Sequence, residues 1–143
     1  MVTSVDPLIL SIIMVASRAY DVQAPLIAAI IDQESGFNIQ ALGDRDQEGN
    51  PESFGLMQLH IRGAGYGYSP DQLLNPAFNV MVGTEYLRAC MNAFPNNIKL
   101  AISAYNQGQG GAAKRGYGFN EGYVNNILSL WEKYKKEWAK KGD

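Results

Sequence analysis

Apolar residues recur along most of the chain at the three- and four-residue spacing of an α-helix, and the places where that rhythm stops divide it into elements. Asp6 followed by Pro7 predicts a helix start, because an aspartate side chain accepts hydrogen bonds from free backbone N–H groups and proline is preset for a first turn. This helix is expected to run to about Tyr20. Pro25 opens a second, strongly apolar helix through Leu26, Ile27, Ile30 and Ile31, and Gly36 supplies its stop just after Glu34 and Ser35. The pattern therefore sets an acid at the end of a buried helix. Residues 36–68 are rich in Gly, Asp, Asn and Pro with only short apolar runs, which predicts loops and a small hairpin. Helical spacing returns after Ser69 and Pro70, where Phe78, Val82, Tyr86, Cys90 and Phe94 step by four along one face. Pro95 ends that stretch, Asn96 or Asn97 caps the next helix up to Tyr105, and residues 108–111 form a glycine-rich bend. The last helix carries Val124, Ile127, Leu128, Trp131, Tyr134 and Trp138 as one wide stripe. The fold class is mainly α, with a small irregular or β-hairpin lobe inserted after the second helix.

Composition narrows the picture. A length of 143 residues suits a single domain, here 1–143, with a real core. An apolar fraction of 46% and a charged fraction of 18% are those of a globular protein. The net charge of -2 supplies no general basic field, so nucleic acid is a poor partner. Lysines do gather at the end, at Lys133, Lys135, Lys136, Lys140 and Lys141, a pattern expected of the solvated face of a last helix. The lone Cys90 cannot form an internal disulfide, reads as a core residue, and leaves no zinc framework. Asp6 is the only charged side chain before the apolar run of residues 7–16, which does not read as a secretory signal and is too short to span a bilayer. The expectation is a protein made without its own signal peptide, or a domain of a larger exported one, with no insertion in a membrane.

Candidate chemistry centres on the string Ile30, Ile31, Asp32, Gln33 and Glu34. A carboxyl set against an apolar helix end tends to keep its proton at neutral pH, and such a group can protonate a glycosidic oxygen. From the local sequence alone, a Glu34 pointing to solvent is the plainer reading. Four short motifs change that weighting when taken together: Glu34-Ser35, Gly55-Leu56-Met57-Gln58, Ala104-Tyr105-Asn106-Gln107-Gly108, and Tyr123 at the start of the last helix. In this order and spacing they resemble the soluble lytic transglycosylases and the related goose-type lysozymes, over residues 26–128.

The resemblance implies a lysozyme-like single domain that cleaves the β-1,4 glycosidic bond between N-acetylmuramic acid and N-acetylglucosamine in bacterial peptidoglycan. It implies Glu34 as the sole essential acid and base, Ser35 orienting the reactive sugar, and Gly55, Leu56, Met57 and Gln58 on the cleft floor. Tyr105 would bring its hydroxyl near the acid, Asn106 would hold the sugar's N-acetyl group with its amide, and Tyr123 would sit close by. Read without the family, Tyr105 packs in the core and Asn106 caps a helix end. No cofactor and no metal are implied, and the expected form is a monomer acting on glycan strands of the cell wall, delivered by a phage or as part of an exported protein.

Hydrolysis of a glycoside normally uses a second carboxylate. Lytic transglycosylases do without one, because the substrate's N-acetyl group assists departure of the leaving sugar and the same acid then closes a 1,6-anhydro ring on muramic acid. Goose-type lysozymes position water with acidic residues. Asp44 matches the first of these by context, but the second falls on His60, a residue that reads as structural or solvent-exposed. The expected outcome is transglycosylation, with a water-using muramidase as the alternative and a peptidoglycan-binding module without turnover as a rival from another class. Asp44, Asp46, Glu48, Gly49, Asn50 and Glu52 imitate the opening of a calcium loop, yet Gly55 stands where a bidentate Glu is needed, so a plain acidic surface loop is expected.

Overall fold

Short polar side chains set most of the helix starts. In the structure, a computed structural model that describes residues 5–139, α1 (Pro7–Tyr20) begins where Asp6 accepts hydrogen bonds from the backbone N–H groups of Leu8 at 2.8 Å and Ile9 at 3.3 Å. α2 (Ala24–Ser35) follows and stops at Gly36, whose φ of 59° is the left-handed conformation that glycine adopts without strain. α3 (Pro70–Leu74) opens with a reciprocal capping box between Ser69 and Gln72. Asn75 caps α4 (Pro76–Ala93), and Asn97, the second of the two expected candidates, caps α5 (Ile98–Gln107). α6 (Gln109–Arg115), a 3-10 turn (Tyr117–Asn120) and α7 (Glu121–Ala139) complete the described chain. No helix among the described residues is long and apolar enough to cross a membrane.

Three expectations are corrected. Helical structure after Ser69 is broken in two, because Asn75 is extended and Pro76 cannot donate to the preceding turn. Glycines 110 and 111 lie inside α6, so the bend is confined to Gly108 (φ 90°) and a helix follows at once. The row stepping by four on α4 is not the buried face. Steps of four drift by about 40° each on a helix with 3.6 residues per turn. Only Cys90 of that row is fully buried, and the core face is instead formed by Asn79, Val80, Gly83, Thr84 and Leu87 with Cys90.

α2 is the most deeply set element, with Leu26, Ile27, Ala28, Ala29, Ile30 and Ile31 all buried. It packs on α7 and on α1, while α4 joins α1 to α5. The α7 stripe buries Val124, Ile127, Tyr134 and Trp138 and leaves Leu128 and Trp131 half-buried. Lys133, Lys135 and Lys136 stand on this helix, and Lys140 and Lys141 lie outside the described residues.

The lobe after α2 is a three-stranded antiparallel sheet rather than a single hairpin: β1 (Leu42–Gly43), β2 (Ser53–Phe54) and β3 (Leu59–His60), with Leu42 opposite Phe54 and Phe54 opposite Leu59. Strands this short do not hold themselves. Asn79 does much of the holding. Fully buried on α4, it donates through Nδ2 to the carbonyls of Phe54 (2.8 Å) and Leu73 (2.7 Å) and accepts from the Met57 N–H (2.8 Å). Gly55 makes this possible, since its φ is 80° and a Cβ there would stand 2.4 Å from Asn79 Nδ2. Replacing Asn79 by Ala strands three buried backbone groups, at about 1 kcal/mol or more each. Urea denaturation of Asn79→Ala should therefore show a loss of about 3 kcal/mol; a loss below about 1 kcal/mol would mean that the lobe is held by something else.

Candidate active site

Glu34 occupies the last turn of α2, at the edge of a cleft of about 200 Å³ that it lines together with Asp44, Gln58, His60, Tyr105 and Asn106. It is half-buried and opens on the cleft rather than on bulk solvent, so the solvent-pointing reading does not hold. Burial of the carboxyl raises its pKa from 4.5 to about 7. The Tyr123 hydroxyl, which donates to Glu34 Oε2 at 2.7 Å, pulls the other way, and the negative charge of Asp44 adds a smaller upward push. When Glu34 is protonated, Oε2 already accepts from Tyr123 and the proton is left to Oε1. A group with a pKa near neutrality can give a proton and take one back at the same pH.

Both tyrosines stand near the acid, and the hydrogen bond to it comes from Tyr123. Tyr123, placed by the first turns of α7, bonds the carboxyl directly. Tyr105, from α5, donates to the carbonyl of Met57 at 2.8 Å, and its ring lies tilted by 57° against that of Tyr86, with centroids 5.4 Å apart. Burial, with the nearby Glu34 charge, holds both phenols well above their ordinary pKa, so both stay neutral donors. Tyr105 thereby belongs to the core and to the cleft wall at once.

The Gly-Leu-Met-Gln turn lies beneath the cleft and is tied there from three sides. Ser35 Oγ donates to the carbonyl of Leu56 at 2.8 Å and to that of Ile31 at 3.1 Å, which joins the end of α2 to this turn. Leu56 and Met57 are fully buried. Met57 rests against Gly83 of α4, where a Cβ would meet its sulfur at 2.5 Å. Gln58 reaches the cleft in a left-handed conformation (φ 50°) and donates to the carbonyls of Ala41 and Gly55, both at 3.1 Å. Of the expected site residues, Glu34, Asp44, Gln58, Tyr105 and Asn106 are thus brought to one cleft, while Ser35, Gly55, Leu56 and Met57 support it from below.

Asp44 faces the cleft from a left-handed backbone (φ 49°) and accepts from the fully buried Ser53 hydroxyl at 2.5 Å. His60 also lines the cleft, and its ring faces Arg62 and Glu52. Nδ1 accepts from the Arg62 N–H at 3.1 Å, and Nε2 lies 3.6 Å from Glu52, which Arg62 grips with two guanidinium nitrogens. In the acidic loop, the Asp46 carboxylate closes its own turn by accepting from the N–H groups of Glu48 and Asn50 at 2.9 Å each.

Several residues that shape the site carried no motif. Tyr86 lines the cleft, Ser53 holds Asp44, Asn79 fixes the turn beneath, and Asn120 donates to Asn106 at 2.9 Å. The signal for Asn79 was an amide among the small and apolar residues of α4, and for Asn120 there was none.

Known proteins share both this architecture and this sequence. The family model for the transglycosylase SLT domain matches residues 11–123. The membrane-bound lytic murein transglycosylase C of Mannheimia succiniciproducens is 31% identical over 131 residues, covering 84% of this chain and 36% of that protein. The 70 kDa soluble lytic transglycosylase of Escherichia coli superposes with a TM-score of 0.75 at 27% identity, over 93% of this chain and 24% of the other. An inactive variant of the lytic transglycosylase Slt from Pseudomonas aeruginosa superposes with a TM-score of 0.74 at 27% identity, over 90% and 24%. The chain spans about a third of that curated relative and about a quarter of the two solved structures. Because the family match takes in more than half of its length, from the second turn of α1 to Tyr123 beside Glu34, this chain belongs to the transglycosylase SLT domain family.

Proposed function

We propose that this chain, working as one domain, cleaves the β-1,4 bond between N-acetylmuramic acid and N-acetylglucosamine in peptidoglycan and forms 1,6-anhydromuramic ends. The observation that carries the reading is the Glu34 carboxyl, with a pKa of about 7 and a single neutral donor at 2.7 Å, set at the edge of an open cleft. Its first task is to give the proton on Oε1 to the glycosidic oxygen as the bond to the muramic C1 breaks. The acetamido oxygen of the same sugar shares the positive charge at C1. Glu34, now a carboxylate, then takes the proton of the muramic O6 hydroxyl while O6 bonds to C1 and the acetamido oxygen leaves. One acid serves twice, and no water is consumed.

The remaining residues are assigned to binding and support. Asn106 meets the acetamido group, Gln58 and the turn around Gly55 bound the sugar from below, and Tyr105 and Ser35 fix that turn through Met57 and Leu56. The second reading, hydrolysis, draws on Asp44, whose carboxylate reaches the same cleft and raises the Glu34 pKa. At the position of a second water-holding acid stands His60, whose Nδ1 is taken by the Arg62 N–H, and the lack of a second carboxylate there favours the anhydro route.

Glu34→Gln keeps the shape of the side chain and removes its proton, and it should leave a folded protein that binds glycan strands and loses activity by about 10³-fold or more. Clearing of cell walls at a rate near that of the parent would reject Glu34 as the acid. The reaction type is read from products: mass spectra of digested peptidoglycan should show anhydro ends, lighter by one water than reducing ends, and Asp44→Asn should keep most of the activity. Reducing muramic ends without anhydro sugar, together with a large loss in Asp44→Asn, would establish the hydrolase instead.

A further inference from the structure

We infer that Asn120 is a positioning residue that forces the Asn106 side-chain amide to present only hydrogen-bond donors to the cleft, making this subsite selective for a carbonyl oxygen. The inference rests on the reading that Asn106 meets the acetamido group, and it concerns how that amide comes to face the right way. An asparagine amide has two ends of nearly equal size, one accepting and one donating, and its neighbours decide which end turns outward.

Here they decide it through an anchored chain of bonds. Asn120 Nδ2 donates to the backbone carbonyl of Ser103 at 3.2 Å, and a carbonyl can only accept, so the Asn120 amide cannot be turned round. Its Oδ1 accepts from the Ser103 hydroxyl at 2.5 Å, in agreement with that orientation. The second hydrogen of Asn120 Nδ2 then points at Asn106, and only Oδ1 of Asn106 can receive it, at 2.9 Å. The two donors of Asn106 Nδ2 are left for the cleft, which Asn106 lines beside Glu34.

The chain is anchored at its far end too. Ser103 Oγ, on a fully buried residue, accepts from Gln107 Nε2 at 2.8 Å, and Gln107 Nε2 also donates to the carbonyl of Gly116 at 2.9 Å. Gln107 Oε1 in turn accepts from Arg115 Nε at 3.0 Å, and a guanidinium only donates. Each link therefore has one permitted direction from Arg115 to Asn106. The 3-10 turn that carries Asn120 is in this way part of the site, although Asn120 does not line the cleft.

The test compares Asn120→Asp with Asn120→Ala. The aspartate has the same shape but no donor, and it draws the Asn106 Nδ2 group toward itself, turning Asn106 Oδ1 toward the substrate oxygen. Alanine only frees the amide to turn either way. Asn120→Asp should lower kcat/KM on peptidoglycan by about 10-fold or more, whereas Asn120→Ala should lose about 3-fold, an order opposite to that expected from lost side-chain volume. Gln107→Glu, which diverts the Ser103 hydroxyl from Asn120, should fall between the parent and Asn120→Asp, and it keeps the test open if Asn120→Asp fails to fold. Losses that follow thermal stability, a larger loss for alanine than for aspartate, or activity within 2-fold in Asn120→Asp and Gln107→Glu would overturn the inference. A parent protein that neither binds nor cuts peptidoglycan would instead overturn the functional reading beneath it.

Discussion

The contact between the end of α2 and α7 sets the terms for the rest of the cleft. Two tyrosines of α7 reach two acids of α2: Tyr134 donates to Asp32 at 2.6 Å and Tyr123 to Glu34 at 2.7 Å. Behind these bonds, the apolar run of α2 and the buried face of α7 exclude water. Salt bridges among the described residues reach Glu52 and Glu132, not Glu34. A carboxylate in such a place gives up hydration and finds no cation in return. Raising its pKa from 4.5 to about 7 corresponds to a penalty on the charged form of about 3 kcal/mol. The neutral phenol of Tyr123 limits that penalty without abolishing it, which leaves the group balanced between acid and base.

A balanced acid is useful only if the sugar meets it in a fixed position, and the lobe around the short sheet is too small to supply that rigidity alone. Its turn is therefore bound to three helices. Ser35 ties it to α2, Asn79 to α4 and Tyr105 to α5, each through a backbone group of residues 54–57. Two glycines permit the close approach: Gly55 leaves room for the Asn79 amide and Gly83 for the Met57 side chain. The sequence motif in this turn is thus mostly a packing motif, whose buried members Leu56 and Met57 set the height of the floor on which Gln58 stands.

Much of this was legible from the residues. Caps at Asp6 and Asn97, the stop at Gly36 and the stripes of α2 and α7 are local signals, and local structure follows them. The acid at the end of an apolar helix was legible for the same reason. What sequence spacing could not supply was long-range pairing. Whether Tyr105 or Tyr123 touches Glu34 depends on how α5 and α7 cross α2, and no spacing along the chain encodes that. Nor could a row stepping by four reveal that α4 buries Asn79 and Gly83, because both earn their places through partners on the sheet lobe. Residues 110 and 111 read as a bend by composition, yet packing of α6 on α5 holds them in a helix.

Burial, rather than a partner charge, keeps Glu34 protonated near neutrality. A titration of the Glu34 side-chain carboxyl, followed by ¹³C NMR in the free protein, reads this effect at its source. The apparent pKa should be about 7, with the acid-requiring limb of activity falling as pH rises through the same value, since the proton is lost there. A midpoint near 4.5, the ordinary value for a glutamate, would show that the carboxyl is ionised at neutral pH and that burial does not hold its proton.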